Sequence, residues 1–133
     1  MISNVSISIP VSQHPQESYP PAKETIRYDY FVQQLFKPMT EPMMALHAAI
    51  GICGEAGELA DAIKKEYIYG KKRDRENIVE ELGDLRFYIQ AVMNHYEISD
   101  GEVLQKNADK LSKRYVSLKY SDEEAIERRD KEV

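Results

Sequence analysis

A single cysteine, Cys53, leaves no partner for an internal disulfide, and a reducing cytoplasm suits that usage. No apolar run approaches the roughly 18 residues that span a bilayer. The N-terminus lacks the basic start and continuous apolar block of a secretory signal. The expectation is therefore a cytoplasmic chain with no membrane partner. Positive charge is not in excess either: 18 Lys and Arg face 23 Asp and Glu, a net charge of −5. A general nucleic-acid binder needs a basic stripe, so no nucleic-acid partner is expected. A phosphate-bearing ligand is still compatible if a metal reverses the local field. Proline is missing after Pro42, which divides the chain into a proline-rich front and a remainder free of helix breakers.

What is present reads as helix. Within residues 1–23, Val5 to Val11 alternates with period two, a short strand pairing with another chain or a loose arm. The loose, partly ordered arm is the favoured reading. Residues 24–133 form one domain, large enough for a single core. Tyr28, Phe31, Val32, Leu35 and Phe36 give a first helix, from Thr25 to about Lys37, its apolar stripe. Pro38 ends it. Thr40 caps a long helix from about Glu41 to Tyr67, with Pro42 tolerated in its first turn. Gly70 marks a basic turn, and Asp74 caps the next helix, about Arg75 to Glu97. Ser99 with Glu102, and Ser121 with Glu124, make two capping boxes. The first opens a third core helix to about Leu118, and the second a short polar helix. The fold class is all-α, an antiparallel helix bundle with an irregular or short-strand N-terminal arm.

Two carboxylate pairs organise this frame. Glu55 and Glu58 lie three residues apart in Gly54-Glu55-Ala56-Gly57-Glu58, and Glu81 and Asp84 repeat the spacing in Glu81-Leu82-Gly83-Asp84. Positions i and i+3 share a helix face. Each pair borders an apolar row: Ile52, Leu59 and Ile63 in one helix, and Ile78, Leu82, Leu85, Ile89 and Val92 in the other. Gly57 and Gly83 each cost roughly 1 kcal/mol relative to alanine, which a close helix–helix approach would justify. Four converging carboxylates repel one another unless a cation neutralises them. Oxygen-only ligands favour a hard ion, Mg²⁺ or Mn²⁺. A di-iron site would want Glu-x-x-His; His14, His47 and His95 instead follow Val11, Met44 and Val92. Magnesium points to phosphoryl chemistry.

The third core helix adds polar groups. Leu104, Ala108, Leu111 and Tyr115 make its core row, which Asn107 interrupts. A core-facing amide must find a partner, either a structural hydrogen bond or a nucleotide. Lys110 and Arg114 continue from it as a cationic row, suited to a polyphosphate tail or to plain solvent exposure. Cys53 reads as a small buried hydrophobe. His47, two turns before Glu55, reads first as a core histidine.

The stretches Gly54–Asp61, Glu81–Leu85 and Asn107–Tyr115 resemble the MazG-like all-α nucleoside triphosphate pyrophosphohydrolases, and the resemblance extends over about residues 40–131. It implies that Glu55, Glu58, Glu81 and Asp84 bind Mg²⁺, with Mn²⁺ able to substitute. It implies cleavage between the α- and β-phosphates to a monophosphate and pyrophosphate. Glu55 or Glu58 would accept the proton of the attacking water, and Lys65, Lys110 and Arg114 would hold the leaving pyrophosphate. Tyr88, four residues beyond Asp84, occupies the place of a tyrosine that packs under the sugar in deoxycytidine-directed relatives. Those relatives use tryptophans around the base, and this chain has none. Base recognition then rests on the first helix, on His47 or the methionines, or on a neighbouring subunit. A purine deoxynucleotide such as dGTP is the expected substrate, as in phage members. Dimers or tetramers are common in the family, so a homo-oligomer is expected. The alternative is a non-catalytic helical regulator that binds nucleotide or a partner protein.

Overall fold

The structure, a computed structural model, describes residues 5–11 and 23–131; the remainder of the N-terminal arm lies outside the described residues. Strand β1 (Ser6–Pro10) pairs antiparallel with β2 (Lys23–Arg27), with Ile7 opposite Ile26 and Ile9 opposite Glu24. The alternating run is thus a strand, and its partner is this same chain rather than another. β2 crosses the expected boundary at residue 23 and leads directly into α1 (Tyr28–Leu35). The first helix therefore starts three residues later than its apolar pattern suggests. Arg27 and Asp29 mark the junction: the guanidinium donates to both carboxylate oxygens at 3.1 and 2.7 Å.

The long helices start where expected, although Thr40, at the N-cap of α2, makes no side-chain capping bond. α2 spans Glu41–Tyr67 with Pro42 in its first turn, and α3 spans Arg75–His95 with Asp74 accepting from the Asn77 N–H. The two pack along their lengths as an antiparallel pair, with α1 laid against α3. The buried core is small and sits under α1: Val32, Phe36, Ala48 and Ala91. Gln90 is buried among helices, donating to Asn94, whose amide in turn reaches the Asp29 carbonyl at 2.8 Å.

α4 (Asp100–Arg114) begins at Ser99, which accepts from the Glu102 N–H, and α5 (Asp122–Glu127) begins at Ser121 in the same way. A 3-10 turn, Arg129–Lys131, follows. The expectation of a third core helix fails here. α4 packs against α5 and the 3-10 turn, and every residue from Gly101 to Lys110 is exposed, Leu104 at 68%. Its apolar row is real but faces outward, because the short α5 offers little surface to cover it. No helix among the described residues is long and apolar enough to cross a membrane.

Candidate metal centre

Pairing α2 with α3 brings three carboxylates together. One oxygen each from Glu55, Glu81 and Asp84 lies within 4.8 Å of the others. Glu55 and Glu81 are half-buried and Asp84 is exposed. Glu58 is exposed and stands outside this trio, yet its charge is felt. Partial burial raises the Glu81 carboxyl above its ordinary value of 4.5, and the charges of Glu58, Asp84, Glu55 and Glu80 raise it further. This is what carboxylates crowded together do to one another. The donor set is all oxygen, with no nitrogen or thiolate, and so fits a hard divalent cation.

Lys65 feels these charges. Its ammonium pairs with Asp61 at 3.0 Å, and Lys64 holds the other oxygen of Asp61 at 3.0 Å. Asp61 raises the Lys65 ammonium most, and Glu58 and Glu81 add to it. Lys65 therefore lies within the field of the cluster while tethered to Asp61. Asp61 is not among the expected site residues, although its i,i+4 spacing to Lys65 announces the pair. Tyr28, a member of the apolar stripe of the first helix, also stands within the field of Asp84. Burial pushes its phenol up, Arg86 opposes that shift, and Asp84 adds to it.

The glycines behave differently from expectation. A Cβ at Gly57 or Gly83 would meet nothing within 4 Å, so neither permits a close helix approach. The close approach is at Gly51, where a Cβ would fall inside the ring of Tyr88. That ring joins an aromatic cluster with Phe36, Phe87 and His47, directly along α3 from Asp84. His47 Nδ1 is buried with no hydrogen-bond partner among the described residues. Cys53 is exposed rather than a buried hydrophobe, since α2 turns that side away from both α1 and α3.

The cationic row on α4 lies on a helix that packs chiefly against α5 and the 3-10 turn. Asn107 and Lys110 are exposed and border a shallow hollow with Ile98 and Val103; Asn107 is no core amide. Arg114 is engaged elsewhere, its Nε and Nη2 donating to the two oxygens of Asp130 at 2.7 and 2.9 Å. The Asp130 side chain is fully covered. The pairing raises the Arg114 guanidinium and holds the Asp130 carboxyl well below the usual range.

A family model, the MazG nucleotide pyrophosphohydrolase domain, matches residues 46–118, a stretch that contains all four acidic positions and the start of the C-terminal fold-back. The chain belongs to this family. A curated relative, the Gene 37 protein of Mycobacterium phage L5, is 32% identical over 73 residues, covering 51% of this chain and 63% of that protein. The match thus spans less than two thirds of the relative's length. No solved structure matches the chain. Within the MazG domain, the acidic trio lies on the antiparallel pair α2–α3, and the N-terminal hairpin and α1 precede the matched residues.

Proposed function

We propose that this MazG domain is a Mg²⁺-dependent (deoxy)nucleoside triphosphate pyrophosphohydrolase, releasing a monophosphate and pyrophosphate. The observation that carries the reading is the convergence of Glu55, Glu81 and Asp84 from two helices to within 4.8 Å, in a cluster whose mutual repulsion calls for a cation. Mg²⁺ or Mn²⁺ held by these three would neutralise the triphosphate and polarise the α-phosphorus. Glu58, exposed and outside the trio, is the carboxylate free to take the proton of the attacking water. Lys65 exchanges Asp61 for the leaving pyrophosphate, a charge-for-charge replacement at little electrostatic cost. Tyr88, between the acidic trio and the core, packs under the sugar; His47 stands beside it. The preferred substrate is a purine deoxynucleotide such as dGTP, in a host cytoplasm if the chain is phage-borne.

The assembly is a homodimer or homotetramer. The buried core is slight for 133 residues, while Ile50, Ile63, Leu82, Leu104 and Tyr67 are each at least 42% exposed. Outward apolar rows on α2, α3 and α4 are what a second copy would cover. In that arrangement Asn107 and Lys110 of one chain reach the carboxylates of another, and Arg114 serves the scaffold through Asp130.

Incubation with each dNTP and Mg²⁺, followed by ion-exchange separation, tests the reading. Monophosphate with an equal yield of pyrophosphate is the expected result. Release of inorganic phosphate, or no turnover of any nucleotide, would overturn it, the latter favouring the non-catalytic regulator.

A further inference from the structure

The geometry points to the cavity at the junction of α1, α2 and α3 as the nucleobase end of the site that begins at the acidic trio, with Glu97 reading the base and selecting guanine. This rests on the hydrolase reading for the triphosphate but not for the base. The cavity holds about 300 Å³, at the small end of ligand pockets. Val32, Phe36, Met44 and Ala91 give it an apolar floor suited to a flat ring, and Gln33 and Glu97 stand at its exposed rim.

Its place in the fold follows from helix geometry. At about 100° per residue, Tyr88, Ala91 and His95 return to the side of α3 that carries Asp84. On α2, Met44, His47 and Gly51 return to the side that carries Glu55 and Glu58. Ala91 lies seven residues beyond Asp84, about 10 Å along the axis. The acidic trio, the Tyr88 ring and the cavity therefore follow one another along one side of the α2–α3 pair, in the order phosphates, sugar, base. α1 roofs only the last part.

The rim chemistry is acceptor-rich. The Asn94 amide at the cavity wall is already committed, donating to the Asp29 carbonyl and accepting from Gln90. What is left is Gln33 and His95, each able to donate or accept, and two acceptor-only carboxylates, Glu41 and Glu97. Glu97 is held at φ +54°, just past the end of α3. That left-handed position after a helix ordinarily favours glycine, so Glu97 sits against backbone preference, as Leu118 and Arg128 do elsewhere. An ionised carboxylate only accepts hydrogen bonds. Thymine and uracil flank their ring N–H with carbonyls that repel it. Adenine and cytosine place a bare ring nitrogen beside the amino group. Guanine alone presents a ring N–H and an amino group side by side, matching both oxygens. Hypoxanthine, which lacks the amino group, loses half of that match.

Monophosphates probe the site without turnover. Calorimetric titration of the full-length protein with dGMP, dIMP, dAMP, dCMP and dTMP should show dGMP bound most tightly, with dIMP about tenfold weaker, the scale of one charged hydrogen bond. Glu97→Gly suits the local backbone, so its melting temperature should match or exceed wild type while the dGMP-over-dIMP preference disappears. Glu97→Gln should weaken that preference in the same direction. Equal binding of dGMP and dIMP by wild type, a preference that survives Glu97→Gly, or no binding of any monophosphate at millimolar concentration would overturn the assignment. Cleavage of the matching triphosphates is scored separately. Turnover without a Glu97-dependent preference removes the base site and spares the hydrolase. A Glu97-dependent preference without turnover does the reverse.

Discussion

Glu81 shows what single side chains contribute. Its carboxyl is raised by burial and by four neighbouring carboxylates, so the metal-free folded chain takes up a proton at a higher pH than the unfolded chain does. Stability without metal should therefore rise as pH falls from neutral through that raised value toward 4.5. Over the same window Mg²⁺ affinity should fall, because the proton competes for the ligand. Thermal melts across pH, with and without Mg²⁺, check both signs; a metal-free stability that falls through this window would contradict the cluster. Asp130 has the opposite sign. Its depressed carboxyl stabilises the fold above the ordinary value of 3.8 and gives that stability up only as pH drops well below it. Glu58→Gln removes the charge that weighs most on Glu81 among the carboxylates. Turnover should fall by about 10²-fold or more, the scale of losing a general base, while the metal-free melting temperature rises. Near-wild-type turnover would remove Glu58 from the site.

Among elements, the α2–α3 pair carries the design, and its glycines divide into two kinds. Gly51→Ala would drive a methyl into the Tyr88 ring and should cost about 1–3 kcal/mol, as overpacking does. Gly57→Ala meets open space and should gain about 1 kcal/mol of helix propensity in an isolated chain. Urea melts of the two variants should move in opposite directions. A loss of turnover in a stabilised Gly57→Ala would place substrate or a second chain against that turn. The helix ends were legible because Asp74, Ser99 and Ser121 each make the cap that their sequence context specifies. The start of α1 was not legible. Its apolar stripe continues upstream, but Lys23–Arg27 pairs with β1 across a gap in sequence that no local pattern reveals.

For the molecule as a whole, the proposed metal and the proposed assembly would each add to stability. Mg²⁺ at 100 times its dissociation constant should add about 2.7 kcal/mol, read as a rise in melting temperature across a titration; an unchanged curve would count against a functional site. Sedimentation should give a dimer or tetramer, and Leu104→Asp, which charges the outward row of α4, should shift it toward monomer. A wild-type monomer at micromolar concentration would leave those apolar rows unexplained.

The sequence by itself determined the all-α class, the extents of α2 and the capped starts of the later helices, because periodicity and capping are local. It also determined the family, because the two acidic pairs and their spacing are written in the chain. Tertiary structure alone decided which carboxylates meet, since helix rotation within the pair puts Glu55, Glu81 and Asp84 together and leaves Glu58 outside. It likewise decided that Gly51 rather than Gly57 is the point of close approach, that Arg114 is bound to Asp130, and that α4 faces outward. An apolar stripe specifies that a face will be covered; what covers it depends on the rest of the fold.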